Sequence, residues 1–538
     1  MKEIAQSENI EDFIDSDFIY VDKTEYIYNL TKSYKRVFFS RPRRFGKSLT
    51  LNTIGTLFEK GVDPYFKGTW IYDKWRQDKY PVLHLNFLEY RVKSATEFKA
   101  IFSKKIAQFA IEQDLGDVVR SNEPDLAIAE LFSALKERQI VILIDEYDCQ
   151  LTANINNSEL YEEFRTCIRE FYAVLKGKKQ IRFLAVTGVT RLKDVSIFSV
   201  GSDIIDLTYN HAYSQMIGFT RDEIKKFYID YLKLGAGYEK GKAPETVTDA
   251  EIEDLLDRMA EHYDGYCFDE FYKNKVFSTY SVNNFLRSLS QKQCTVFGDY
   301  WYEAGGVPSI LNNYLQSHEI NLEKFLDSEI SISYDAFMNP TTLPTMDENV
   351  LMCQTGYLTL KSEIKLPKNV KLGLANKEVS SALNALLTRK FFNPDSLPSF
   401  YDGDDILEQG TAEEIVGHFN SVLLTIPYDR YPVESEALLR ALILMYLIGL
   451  KLDVRAEQHN SKGRSDLLIN LKNRRVVLEL RFSPDGRNSE TLLNDAVNQI
   501  NDREYGTENP GNRELLKIAC VFDASEDKRK ITAFQPVV

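Results

Sequence analysis

The chain has 538 residues, 43% of them hydrophobic and 27% charged, with 66 Lys and Arg against 80 Asp and Glu for a net charge of −14. Such a length predicts three or four domains, and 32 Phe, 30 Tyr and 3 Trp argue against disorder. The acidic balance excludes a protein that coats nucleic acid by bulk charge, though not one with a local basic site. The six cysteines (149, 167, 267, 294, 353 and 520) form no CxxC pair, and the six His fall in no metal-binding spacing. Neither a zinc site nor a disulfide framework is therefore expected, and reduced thiols in a cytoplasm are the simpler reading. The opening Met1-Lys2-Glu3-Ile4 lacks the apolar core of a signal peptide. The longest apolar run, residues 441–450, is half the roughly 20 residues of a membrane helix. The expected location is the cytoplasm, with no membrane partner.

Residues 1–215 read as alternating strands and helices. Short apolar segments at 36–40, 82–87, 140–145, 181–187 and 203–207 suit strands, and helices such as 97–113 and 160–175 separate them. This alternation predicts a parallel sheet with helices on both faces. After the first strand comes Ser40-Arg41-Pro42-Arg43-Arg44-Phe45-Gly46-Lys47-Ser48, opening a helix. That context suits a phosphate-binding loop: Gly46 for close backbone approach, Lys47 for the β/γ-phosphates, Ser48 for Mg²⁺, and the helix N-terminus for its N–H groups. The standard loop has Gly where this chain has Arg41. Residues 26–58 carry seven Lys or Arg and no acid, a local anion site that includes Arg44. The apolar strand at 140–145 ends in Asp145-Glu146. Asp145 would hold Mg²⁺ through water, and Glu146 would polarise the attacking water. Thr187, at a later strand end, could sense the γ-phosphate. Arg191 could act as an arginine finger, or form a surface salt bridge instead.

Residues 216–390 read as mainly helical, with helices at 221–232, 249–262 and 281–289. A looser polar stretch at 393–405 marks a boundary. Residues 391–538 read as a separate small α/β domain: helix 434–448, strands 466–471 and 475–482, helix 491–503 and strand 516–522. Along 475–482 side chains alternate, so Val477, Glu479 and Arg481 share one face. Two charges on such a strand are costly unless used or paired. A hairpin would bring Asp466 towards Glu479 as a hard-oxygen site for Mg²⁺, with Arg481 beside it to hold a phosphate. Ion pairs Glu479–Arg481 or Asp466–Arg464 are the structural alternative.

These motifs together resemble the bacterial AAA-ATPase-like proteins that carry a C-terminal nuclease domain of the PD-(D/E)XK superfamily. The likeness spans nearly the whole chain. It includes Phe18-Ile19-Tyr20-Val21-Asp22-Lys23-Thr24, the loop 41–48, Thr187-Gly188-Val189-Thr190-Arg191, and Tyr263-Asp264-Gly265-Tyr266. It continues through Tyr300-Trp301-Tyr302-Glu303-Ala304-Gly305-Gly306, Gln354-Thr355-Gly356-Tyr357, Gly463-Arg464-Ser465-Asp466 and Glu479-Leu480-Arg481. The resemblance implies a P-loop NTPase of the additional-strand class, a helical region, and a restriction-endonuclease-like core. It makes Arg41 usual. It implies that Asp466 and Glu479 are the metal-binding acids, Glu436 the helix acid and Gln499 the later helix Gln. The family usually has Lys in place of Arg481. Arg stays charged but cannot serve as a base, so cleavage is expected to be weaker or absent.

The expected function is an ATP-binding, nucleotide-regulated nuclease dependent on Mg²⁺ (or Mn²⁺). It would act on nucleic acid, DNA in the first instance, in defence against mobile DNA. The alternative is a nucleotide-dependent switch or scaffold whose nuclease-like domain binds without cutting. A third reading is a DNA-remodelling ATPase whose last domain only anchors the chain. Assembly into a homo-oligomer is left open.

Overall fold

The structure, a computed structural model, describes residues 1–90, 92–193, 203–301, 330–392, 400–429, 431–450, 452–459, 464–503, 505–506 and 513–537. Motif residues 302–306 and Gly463, and most of the boundary stretch (393–399), lie outside the described residues. By contacts the chain forms two compact units, Met1–Ile320 with Glu329–Val379, and Asn321–Ser328 with Ser380–Val538.

In the first unit five parallel strands form one sheet in the order β2-β3-β4-β1-β5. They are β1 Arg36–Ser40, β2 Val82–Asn86, β3 Ile140–Asp145, β4 Ile181–Gly188 and β5 Ile205–Asp206. Strands β1 and β3 are buried along their whole length, as a sheet covered on both faces requires. Each fully buried Phe or Ile in them contributes about 1.5–3 kcal/mol. Strand β4 lies between β1 and β3. The register sets Ser40 beside Gly188 and Phe39 beside Thr187, so the loop after β1 and the ends of β3 and β4 meet at one edge.

The middle region is mainly helical, with Arg221–Phe227, Ile229–Lys240, Asp249–Tyr263 and Thr279–Lys292 around a core of Leu232, Leu255, Leu256, Met259, Phe285 and Leu289. Thr220 and Thr248 close capping boxes with Glu223 and Glu251, which fixes two of the helix starts. A three-stranded antiparallel sheet adds to the expected helices: β6 Ile330–Ile332, β7 Leu358–Leu360 and β8 Val370–Leu374.

The second unit holds a mixed sheet in the order β13-β12-β11-β10-β9: β9 Asp453–His459, β10 Arg464–Asn470, β11 Arg474–Ser483, β12 Glu514–Asp523 and β13 Lys530–Val537. Only β11 and β12 pair in parallel. Helix Ser489–Arg503 connects them and packs Ala496 and Ile500 on Val477 and Ala519. Strands β9 and β13 went unread in the sequence. Among the described residues no helix is long and apolar enough to cross a membrane, and none of the six cysteines is disulfide-bonded.

Candidate functional sites

The first site is built by the loop between β1 and helix Lys47–Lys60. Gly46 caps that helix in the left-handed region (φ 99°), which glycine adopts without strain, and a Cβ placed there would meet nothing within 4 Å. The glycine thus serves backbone shape and leaves the loop face open. Lys47 is buried, with Nζ 3.3 Å from Glu146 Oε1 and donating to the Pro42 carbonyl at 3.2 Å. Asp145 joins three elements. Its Oδ2 accepts from Ser48 Oγ at 2.6 Å, and its Oδ1 from Thr187 Oγ1 at 2.5 Å and from the Glu146 amide at 2.9 Å. Gly188 follows Thr187 because a Cβ there would meet Tyr147 at 2.5 Å and Asp148 at 2.6 Å.

A cavity of about 680 Å³ opens over the loop. Its lining includes Arg43, Arg44, Gly46, Lys47, Ser48 and Glu146 as well as the apolar Ile27, Met216, Ile217 and Phe219. That volume falls in the range of small-molecule sites. A lining that combines a cationic loop with apolar side chains suits a nucleotide. The Ser48 hydroxyl and Asp145 carboxylate supply the hard oxygen donors that Mg²⁺ takes.

Arg44, Gly46, Lys47, Ser48, Asp145, Glu146 and Thr187 are therefore brought together. Arg191 is not. Its Nε donates to Asp206, its Nη1 to the Met338 carbonyl, and its amide to Gln354 Oε1 at 3.1 Å. It does not line the cavity. Arg191 is buried and ion-paired with Asp206 at the end of β5, where the alternative had a surface salt bridge.

Residues distant in the chain hold the loop from behind. Arg41 is buried and donates to the Ser40 and Thr208 carbonyls at 2.8 and 2.7 Å, with its guanidinium 4.1 Å from the Phe268 ring centre. It is a strut in the loop base, which explains why glycine is absent there. Phe45 packs edge-on against Tyr266 at 4.7 Å, and Arg44 lies 4.4 Å over Tyr280. Trp301 Nε1 donates to the Arg43 carbonyl at 3.3 Å, and Thr279 Oγ1 to the Arg44 carbonyl at 2.9 Å. The Trp301 amide and Ser281 Oγ both donate to buried Glu378. Glu8 also faces this charge cluster: burial, then Asp145 and Glu146, push its carboxyl up, against the pull of Lys47 and Arg44.

The second site lies in the second unit. Asp466 opens towards the middle of β11, where its Oδ2 accepts from the Leu480 amide at 2.8 Å. Arg440, one helical turn after Glu436, donates to Asp466 Oδ1 at 3.0 Å. Glu479 is 1% exposed. Its Oε1 accepts from Arg481 Nη1 at 3.1 Å and from Gln499 Nε2 at 2.5 Å, and its Oε2 has no partner among the described residues. Burial and then Asp466 push the Glu479 carboxyl well above its ordinary value, more than Arg481 lowers it. Glu436 is raised by the same two causes, in the same order. Gln499 Oε1 accepts from Arg481 Nη2 at 2.7 Å, and Tyr505 braces Gln499 at 3.0 Å.

Glu436, Asp466, Glu479, Arg481 and Gln499 thus converge. The expected Glu479–Arg481 pair is present, while the Arg464 side chain lies outside the described residues. Arg440 and Tyr505 were missed. Arg440 was legible from its four-residue spacing to Glu436, whereas Tyr505 follows the helix in a turn that carries no motif.

Comparison with known proteins finds a family match within each unit. Residues 7–198 match the family described as "Predicted AAA-ATPase", and residues 434–532 match the PD-(D/E)XK nuclease superfamily. The chain therefore joins an AAA-ATPase-like domain to a C-terminal domain of the PD-(D/E)XK nuclease superfamily. It is 27% identical over 539 residues to the "Uncharacterized protein in vnfD 5'region" of Azotobacter chroococcum mcd 1, covering 96% of this chain and 95% of that one. Among solved structures it is similar to the Aeropyrum pernix ORC1 protein in complex with DNA (9% identity, TM-score 0.28, 72% of this chain and 100% of that chain). It is also similar to Cdc6p from Pyrobaculum aerophilum (11% identity, TM-score 0.22, 68% and 92%). Superpositions this loose define no shared activity.

Proposed function

We propose that this protein is an ATP-driven switch whose C-terminal nuclease-fold domain holds nucleic acid, DNA in the first instance, without cutting it. The observation that carries the non-cleaving reading is the Arg481 guanidinium standing among the carboxylates of Glu479, Asp466 and Glu436 at 3.1, 3.9 and 3.8 Å. Arg481 bears a permanent charge and cannot take a proton from water.

At the loop, Mg²⁺ bound with ATP would neutralise phosphate charge. Ser48 and Asp145 would hold the ion, and Thr187 keeps Asp145 oriented through its hydroxyl. Lys47, now beside Glu146 and the Pro42 carbonyl, would supply the positive charge that the phosphates need. Glu146 would orient the attacking water. Arg191, tied to Asp206, has no part in this step. The nucleotide state then sets how firmly the C-terminal domain holds DNA.

The second reading, a metal-dependent nuclease acting in defence against mobile DNA, is favoured by the convergence of Asp466, Glu479 and Glu436. Plasmid DNA incubated with Mg²⁺ or Mn²⁺, with and without ATP, separates the two. The switch reading expects intact plasmid with wild type, Asp466→Ala and Lys47→Ala alike, and ATP turnover lost only in Lys47→Ala. Cutting by wild type that Asp466→Ala abolishes would establish the nuclease instead.

A further inference from the structure

The oxygens of the second site are the right kind for a divalent metal, but their common focus is taken. Arg481 Nη1 donates to the Leu480 carbonyl at 2.7 Å and to Glu479 Oε1 at 3.1 Å, with Asp466 and Glu436 just beyond. Magnesium needs oxygens at about 2.0–2.1 Å. A hydrogen-bonded nitrogen at the focus of those oxygens leaves no such seat, and its charge repels a dication. Among the described residues no group of three or more His, Cys, Asp and Glu is arranged to hold a metal ion.

The guanidinium is also fixed in place. Gln499 Oε1 receives Nη2 at 2.7 Å, while Gln499 Nε2 binds the same Glu479 oxygen that Nη1 does. One glutamine thus clamps the pair from the helix side. The second carboxylate, Asp466, has its own partners in Arg440 and the Leu480 amide.

We propose that Arg481 is a built-in cation that takes the place of the divalent metal in this nuclease-fold domain. The carboxylate cluster is balanced from within, and a metal enters only if the guanidinium leaves. Removal of Arg481 would free Glu479 Oε1 and the Leu480 carbonyl of one donor each, beside a Glu479 Oε2 that has no partner among the described residues. A metal seat would then exist. The proposal deepens the switch reading and rests on it for the nucleic-acid ligand.

The test is Mn²⁺ uptake by the full chain without nucleotide, read from the electron paramagnetic resonance signal of free Mn²⁺. Wild type and Glu479→Gln are expected to bind the same number of ions, so that any uptake at the phosphate loop cancels. Arg481→Ala is expected to gain one equivalent, which Arg481→Ala/Glu479→Gln loses. Arg481→Met, which keeps the aliphatic stem, replaces the alanine variant if circular dichroism shows that one unfolded. An extra equivalent in wild type over Glu479→Gln overturns the proposal, as does no gain in a folded Arg481 variant. Anisotropy of a labelled DNA duplex in EDTA is read alongside. If DNA fails to bind while the Mn²⁺ pattern holds, the switch reading falls and the built-in cation stands. If DNA binds and wild type takes up Glu479-dependent Mn²⁺, only the built-in cation falls.

Discussion

Gly356→Ala tests whether the middle region truly braces the phosphate loop. Gly356 sits at φ 96°, and a Cβ there would lie 2.8 Å from Pro42 Cβ and 3.0 Å from its Cγ. The left-handed backbone costs an L-residue about 1–2 kcal/mol. Forcing a methyl against a rigid proline ring adds about 1–3 kcal/mol. The sum is a loss of roughly 2–5 kcal/mol. Gly116→Ala isolates the first part, since Gly116 also has positive φ (74°) but nothing within 4 Å of its Cβ position. It should lose only about 1–2 kcal/mol. The assay is urea unfolding followed by tryptophan fluorescence. The three tryptophans, Trp70, Trp75 and Trp301, all lie in the first unit, so the signal reports that unit alone. ATP affinity should fall in Gly356→Ala as well, because Lys47 donates to the carbonyl of Pro42. If the two alanine variants lose equal stability, the Gly356–Pro42 contact is not tight and the bracing argument fails.

Further predictions concern the same unit. Arg41→Gly restores the residue usual in phosphate loops, yet it should cost roughly 4–8 kcal/mol by removing two charge-assisted hydrogen bonds and the Phe268 contact. ATP affinity, measured by calorimetry, should not rise; tighter binding at unchanged stability would show Arg41 to be an obstruction and not a strut. Glu146→Gln should keep ATP binding and lower turnover by about 10²–10⁴-fold, and a turnover within a few-fold of wild type would remove Glu146 from the water-orienting role. Burial opposes the charge of Asp269, but the Phe271 amide, the His211 ring and the Asn274 amide outweigh it and hold its carboxyl below its ordinary value. A depressed folded-state pKa gives stability that is present above the ordinary carboxylate value and lost as pH falls through the folded one. Asp269→Asn should therefore be less stable than wild type at pH 7, with the gap closing in acid; a gap independent of pH would contradict this.

How much the sequence revealed follows from how local each signal is. The loop at 41–48 and the acids at the end of β3 were legible because strand, glycine and lysine lie together in the chain. Asp466, Glu479 and Arg481 were legible because a strand alternates its side chains and a hairpin sets two strands side by side. Strand β9 was not, since Asp453–His459 carries one apolar-polar alternation too weak to read, and β13 is half exposed with Pro536 near its end. The bracing of the loop by Tyr266, Phe268, Tyr280, Trp301 and Gly356 spans more than two hundred residues of chain, and no spacing encodes it. Arg191 shows the reverse failure. A charged residue after a strand end suggested phosphate chemistry, but its partner Asp206 comes from a strand whose position only the fold determines.

On the proposed function, nucleotide bound at Lys47 controls a C-terminal domain that holds DNA. Its most direct test is the anisotropy of a labelled DNA duplex with wild type and Lys47→Ala, with and without ATP and Mg²⁺. Phosphate contacts should make binding weaken steeply with salt, so one low ionic strength is held throughout. ATP should shift the DNA affinity of wild type and leave that of Lys47→Ala unchanged. DNA binding by wild type that is indifferent to ATP, or no DNA binding at all, would contradict it.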